Sequence, residues 1–281
     1  MALTVRTNTT ALNSIKTLNR TQNNLSNSLS KISSGLRVNK AADDSAGLSV
    51  ATRQTSDNTS LKQAMRNTND GISMVQTAEG GLNEIYNILV RMRELAVQGA
   101  NATYNSGDRA AISKEFTTLA NEIKRIASVA NFNRQNVLSS TSTQFKLQVG
   151  IQKNADNKIV VNLASIAATW NALGLNGSNL AVSGITTLTR STTAISVIDT
   201  ALKSVNTSRS TLGSIQNRLE SALNEATNYS QNLQSSASQI LDVDYATESS
   251  SMTRFQIMQQ AGVAALGQAK ALPQSIISLL N

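Results

Sequence analysis

The sequence has no cysteine and no histidine. That removes disulfides, thiolate nucleophiles, the usual general base and the usual zinc ligands, so any enzyme reading would have to run on carboxylate or lysine chemistry. One proline in 281 residues and 3% aromatic residues are equally unusual. Globular cores and base-stacking nucleic-acid sites rely on large rings, whereas long helices packed side by side need only Leu, Ile, Val and Ala. No apolar run is long enough to span a bilayer, so no membrane insertion is expected. The opening MALTVRTNTTALNS also lacks the apolar core of a cleaved signal peptide. Acid is missing from the first part of the chain, where Arg6, Lys16, Arg20, Lys31, Arg37 and Lys40 precede the first acidic residue, Asp43. The formal charge of +8 admits a basic helical nucleic-acid-binding protein as an alternative. The charge is diffuse, however, and a solvated basic helix face is the plainer reading. No constellation of catalytic residues, cofactor site or metal site emerges, and none is expected.

What is present is heptad periodicity. Over residues 195–240, apolar residues at Ile195, Ile198, Leu202, Val205, Leu212, Leu219, Leu223, Ala226, Leu233, Ala237 and Ile240 follow steps of three and four, broken only at Arg209, Gln216 and Ser230. Such a seam predicts one helix of roughly 70 Å at about 1.5 Å per residue. A narrow stripe of this kind cannot bury itself and needs partner helices of similar length. The first half of the chain supplies them. Ala11, Ile15, Leu18, Gln22, Leu25, Leu29, Ile32 and Leu36 form one seam, which begins near Thr9 or Thr10 and ends near Gly35. A second runs through Leu61, Met65, Thr68, Ile72, Val75, Leu82, Tyr86, Leu89 and Ala96, with Glu79 and Arg93 as charged interruptions at its rim. A third helix from about Asp108 carries Ile112, Phe116, Leu119, Ile123 and Ile126.

Between these helices the period changes. Phe145, Leu147, Val149 and Ile151, then Ile159, Val161 and Leu163, alternate around the turn formers 154–157 and predict a β-hairpin. Residues 165–190, with the only Trp, Trp170, read as a short tip loop. Asp43 and Asp44, and later Asp242, Asp244 and Glu248, have the look of metal ligands, but their spacing fits helix capping better. After Phe255 the only charged side chain is Lys270, and glutamines interrupt the apolar residues, so the last helix is sticky on more than one side. The expected fold is mainly α: a long antiparallel helical, coiled-coil rod with a small β-hairpin and paired terminal helices. Its domains are a discontinuous terminal assembly domain (1–43 plus 241–281), a discontinuous rod with hairpin (44–164 plus 191–240) and the tip at 165–190.

Several segments carry a family resemblance. They are Ser33-Ser34-Gly35-Leu36-Arg37-Val38-Asn39 with Asp43-Asp44-Ser45-Ala46-Gly47, Arg93-Glu94-Leu95-Ala96-Val97-Gln98 and Phe132-Asn133 in the first half. In the second half they are Asp244-Tyr245-Ala246-Thr247-Glu248, Gln259-Gln260-Ala261-Gly262 and Pro273-Gln274-Ser275-Ile276-Ile277-Ser278-Leu279-Leu280. Together they resemble bacterial flagellin, in a short form lacking the outer variable domains. The resemblance implies a secreted, extracellular structural subunit that self-assembles as a homo-polymer, the helical flagellar filament, for motility. It would not be an enzyme. By the same resemblance its partners are the flagellar export apparatus and chaperone and the cap and junction proteins, with no nucleic acid among them. The related hook–filament junction protein is the alternative within the class. Ile15, Leu18, Leu25, Leu29, Ile32, Leu36, Phe255, Ile257, Leu266, Ile276, Leu279 and Leu280 are the expected assembly residues. The termini are expected to become stably helical only on assembly. Arg91, Leu95 and Glu115 match family positions that contact the host Toll-like receptor 5, which makes them the expected innate immune recognition patch.

Overall fold

The computed structural model describes residues 7–138, 144–162 and 184–280, with side chains up to residue 271. The chain is mainly α. Its helices are α1 (Thr9–Ser34), α2 (Ser45–Gly99), α3 (Ser106–Val129), α4 (Leu188–Leu241) and α5 (Tyr245–Leu280). Two small antiparallel sheets lie between α3 and α4 in sequence. One pairs β1 (Asn131–Phe132) with β2 (Gln135–Asn136), and the other pairs β3 (Gln144–Gln148) with β4 (Lys158–Asn162). Among the described residues no helix is long and apolar enough to cross a membrane. Residues 165–183 of the expected tip, with Trp170, lie outside the described residues, as does Leu163.

The chain divides into two compact units, Met1–Asn58 with Gln231–Asn281, and Thr59–Ser230. The second contains a continuous core. Leu82, Ile85 and Leu89 of α2, Phe116 and Ile123 of α3 and Ile198, Leu212 and Leu219 of α4 are almost wholly removed from water within it. In this unit α2 and α4 run antiparallel, as the order of their contacts requires. Thr227 Oγ1 donates to Met65 Sδ, Arg209 Nη2 lies 3.7 Å from Glu79, and Arg93 Nε donates to Asp199 at 2.7 Å. The interruptions Glu79 and Arg209 therefore meet each other, Arg93 instead finds Asp199 beside the α4 seam, and Arg209 also sits 5.9 Å from the Tyr86 ring centroid. Charged pairs along the flank of an apolar seam favour the register in which they meet over a heptad slip.

The hairpin stands at its expected place and pairs Phe145 with Val161 and Leu147 with Ile159. Its apolar side packs on the core, with Leu147 close enough to Gly71 of α2 that any Cβ there would collide with it. The β1–β2 pair was not expected from the sequence. Its two-residue loop puts both Asn133 (φ 48) and Arg134 (φ 63) in the left-handed region, the geometry of a type I′ turn. Asn133 suits it, but Arg134 hides the signal that a glycine would have given.

The helical faces differ from the expected seams in one consistent way. On α2 the positions Leu61, Thr68, Val75, Leu82, Leu89 and Ala96 are central as expected, but the other half of the buried stripe is Ala64, Ala78, Ile85 and Met92. Met65, Glu79, Tyr86 and Arg93 occupy its flank. On α4 the same holds: Ile198, Val205, Leu212, Leu219 and Ala226 are central together with Ala194, Ala201, Ser208 and Ile215, while Ile195, Leu202 and Leu223 are half-buried beside them. Helices that approach closely put small residues at the line of contact and larger ones along its edges. Ala64, Ala78, Ala194, Ala201 and Ser208 give no large apolar signal, and Ile85, Met92 and Ile215 are large but fall outside a strict heptad seam, which follows only one side of a helix buried more broadly.

Candidate assembly and recognition surfaces

In the first unit, α1 and α5 form a close antiparallel pair. Asn8 Nδ2 donates to the carbonyl of Ala269 at 2.8 Å, Gly262 lies against Leu18, and Gln259 donates its amide to Gln22. The pair starts with a cap: the Asn8 side chain accepts from the Ala11 N–H at 2.9 Å. On α1 the inward stripe consists of Ala11, Ser14, Leu18, Thr21, Leu25, Ser28 and Ile32, of which Ala11, Thr21 and Ser28 are buried. On α5 it is Phe255, Gln259, Gly262, Leu266 and Ala269. Small residues again mark the line of contact, and a Cβ added at Gly262 would stand 3.3 Å from Leu18 Cδ1.

This arrangement sorts the expected assembly residues into three groups. Leu18, Leu25, Ile32, Phe255 and Leu266 are half-buried on the inward stripes. Ile15, Leu29 and Ile257 point outward, at 38%, 57% and 61% exposure, and are joined by Leu12, Met258 and Val263, which the sequence reading did not single out. Leu36 is half-buried at the junction described next. The side chains of Ile276, Leu279 and Leu280 lie outside the described residues.

The junction is a knot of backbone hydrogen bonds. Gly35 ends α1 in the left-handed conformation (φ 73), its N–H bonded to Lys31 O, and Tyr245 Oη comes so near that a Cβ at residue 35 would sit 3.2 Å from it. Leu36 bridges Asp242, the Arg37 N–H donates to Leu241 O at 2.6 Å, and the Val243 N–H donates to Gly35 O at 3.0 Å. Arg37 Nη2 adds a bond to Ile240 O at 2.7 Å. The carboxylates that resemble metal ligands act here as caps. Asp43 Oδ2 accepts from the N–H groups of Asn39 and Lys40, Asp44 Oδ1 accepts from Gly47 N–H at the start of α2, and Asp244 Oδ1 accepts from Ala246 N–H at the start of α5. Among the described residues no cluster of three acidic side chains is positioned to hold a metal.

These bonds have a pH signature. Donation from the Lys40 and Asn39 N–H groups holds the Asp43 carboxyl below its ordinary value of 3.8. The Thr247 hydroxyl, then the N–H groups of Ala246 and Thr247, does the same for Asp244. A carboxyl whose pKa is lower folded than unfolded stabilises the fold above the unfolded value, and that contribution disappears as pH falls through the folded value. The junction is therefore expected to be at full strength at neutral pH and to weaken only below about pH 4. Helical signal followed by circular dichroism should show an acid transition whose midpoint rises toward pH 4 in Asp244→Ala.

The residues expected to form the recognition patch fall in the second unit. The structure brings Arg91 and Glu115 together: Arg91 Nε and Nη2 both donate to Glu115 Oε1, at 3.1 and 2.9 Å, while Nη1 reaches Glu94 at 2.9 Å. Glu94 first, and then Glu115, hold the guanidinium more firmly charged than usual. Leu95 is not a surface anchor beside them. It is 2% exposed and belongs to the core, because it lies one residue before Ala96 on the edge of the buried α2 stripe, where α2 is packed on both flanks. The exposed aliphatic residue of this stretch is Val97.

Comparison with known proteins places the chain in one family. A family model described as the bacterial flagellin N-terminal helical region matches residues 5–143, and one described as the bacterial flagellin C-terminal helical region matches residues 195–280. A flagellin from Halalkalibacterium halodurans is 40% identical over 274 residues, which are 98% of each chain. Flagellin A from Vibrio anguillarum is 31% identical over 381 aligned residues covering all of both chains, so it carries sequence that this chain of 281 residues lacks. A putative flagellar hook-associated protein from Vibrio parahaemolyticus superimposes with a TM-score of 0.55 over 71% of this chain and 100% of its own, at 13% identity, a likeness of fold alone.

Proposed function

Given that the chain belongs to the bacterial flagellin family and is a structural subunit of the flagellar filament, we propose that its terminal helix pair carries polymerisation, with residues 1–43 and 241–281 as the assembly domain. One observation carries this reading. Two helices bound to each other along one narrow stripe apiece leave Leu12, Ile15, Leu29, Ile257, Met258 and Val263 in water. Fully burying such side chains is worth about 1.5–3 kcal/mol each, which is enough to drive association once neighbouring copies cover them. Leu18, Leu25, Ile32, Phe255 and Leu266 hold the pair together and Leu36 fixes its junction, and Ile276, Leu279 and Leu280 are assigned to assembly with them by the family resemblance alone. The protein works as building material, not as a catalyst. Residues 44–164 and 191–240 are the supporting helical domain, and 165–190 stands where longer relatives would carry outer domains. On this reading the chain leaves the cell through the flagellum's own export apparatus with a chaperone, meets cap and junction proteins, and resides in the extracellular filament. The junction-protein alternative rests on a likeness of fold alone, and the diffuse basic charge gives nucleic acid no more support than a solvated helix face. Electron microscopy of the purified chain in salt tests the proposal: filaments are expected, and monomers that stay soluble under seeding would contradict it.

For host recognition we propose that Arg91 and Glu115 form the contact surface for Toll-like receptor 5, with Leu95 supporting it from below. The two roles separate in a pair of variants. Arg91→Ala should leave stability within about 1 kcal/mol, because its ion pairs are exposed, yet reduce receptor activation by the monomer at least tenfold. Leu95→Ala should cost about 2–5 kcal/mol in urea unfolding. Unchanged activation in Arg91→Ala would remove the site.

A further inference from the structure

With no cysteine in the chain, methionine is its only sulfur, and the methionines are unevenly protected. Met74 and Met92 sit in the core of the Thr59–Ser230 unit, at 3% and 5% exposure. Met65 is half-buried, and its sulfur accepts the Thr227 hydroxyl at 3.6 Å. Met1 lies outside the described residues. Met252 and Met258 are placed differently. Both lie on α5, three residues before and three residues after Phe255, the spacing that makes neighbours on a helix surface. Phe255 belongs to the inward stripe, so helical phase puts the two methionines on opposite flanks of it. Met252 is half-buried there, and Met258 keeps 41% of its surface. These sulfurs are open to water while α5 is paired with α1, and more so in a chain whose α5 has frayed.

We propose that Met252 and Met258 form a peroxide-sensitive site that decides whether a free subunit can enter the filament. The proposal rests on the filament reading above, in which neighbouring copies cover the open side of α5. In the modifying step the sulfur lone pair attacks one oxygen of hydrogen peroxide, and the S–O bond forms as the O–O bond breaks. The departing hydroxide takes the proton from the transferred oxygen and leaves as water. Sulfur gives up an electron pair, and the peroxide accepts it. The product sulfoxide is polar where the thioether was apolar. Covering it in a polymer forfeits the gain from apolar burial and leaves its oxygen in need of a hydrogen-bond donor. A finished filament shields the same sulfurs, so peroxide withdraws free subunits and spares assembled ones.

The test treats the full-length monomer and, separately, seeded filaments with dilute hydrogen peroxide, stops the reaction with catalase, and reads sulfoxide by peptide mass spectrometry and assembly by sedimentation. In the monomer, sulfoxide is expected at Met258 and Met252 ahead of Met74 and Met92, and in the filament it should form severalfold more slowly at the two α5 positions. The critical concentration of treated monomer is expected to rise at least about tenfold. Methionine sulfoxide reductases acting on both sulfoxide epimers should return it to its starting value. In Met252→Leu/Met258→Leu the treated and untreated critical concentrations should coincide, whatever the untreated value. An unshifted critical concentration with Met258 oxidised, an equal rise in the double variant, or equal oxidation of Met258 in monomer and filament would overturn the proposal while the filament itself still stands. Absence of filaments from the untreated chain would remove the filament reading and the proposal with it.

Discussion

A chain carrying Leu29→Asp and Ile257→Asp is expected to fold as the unaltered monomer does and to form no filaments. Both side chains are more than half exposed. Their replacement therefore removes little from the monomer, within about 0.5 kcal/mol for surface sites plus a similar loss of helix propensity for each aspartate. In a polymer that covers these positions, the same changes remove about 1.5–3 kcal/mol of burial apiece and add the cost of desolvating an unpaired charge. A total of about 6 kcal/mol raises the critical concentration about 10⁴-fold, beyond any accessible protein concentration. Deleting residues 245–281 should abolish assembly as completely, but it also strips α1 of its partner, so the point variants are the more informative. Circular dichroism and sedimentation check both halves of the expectation. Filaments of normal length from the double variant would show that assembly uses some other surface.

The second large effect is on the fold. Phe116→Ala is expected to destabilise the Thr59–Ser230 unit by about 3–5 kcal/mol in urea unfolding. Phe116 has no exposed surface and lies in the same core as Leu82, Ile85, Leu89 and Ile123. In a sequence with only 3% aromatic residues, few side chains could swell to fill the space it leaves. Leucine at the same position should recover most of the loss. A cost below about 1 kcal/mol would mean that α3 contributes little to the core.

Much of this architecture is legible in the sequence, because heptad steps, caps and period changes are local signals. The hairpin at 144–162 follows from alternation and the end of α1 from Gly35, but its cap is Asn8 and not Thr9 or Thr10, which lie inside the first turn. The inward faces are legible only by halves. Leu18, Leu25 and Ile32 were found, but Ser14, Thr21 and Ser28, which complete the stripe, look like solvent-facing polar residues until a second helix is seen to approach closely. The outward leucine and isoleucine at 29 and 15 were consequently placed in the seam and not beside it. Leu95 illustrates the same limit from the other side. A helix packed on both flanks buries residues that a two-stripe pattern assigns to its rim. The pairing of Glu79 with Arg209 depends on the register between α2 and α4, which no local signal encodes.

Hydrogen exchange compared between dilute monomer and filament tests the central claim most directly. Each terminal helix buries one stripe in the monomer, so its amides should open at low cost, whereas segments of the Phe116 core should be protected in both states. On polymerisation the amides of residues 9–34 and 245–271 are expected to slow by on the order of 100-fold, with little change around Leu89, Phe116 and Leu212. Equal protection of the terminal helices in monomer and filament would contradict the assignment of assembly to their outward faces.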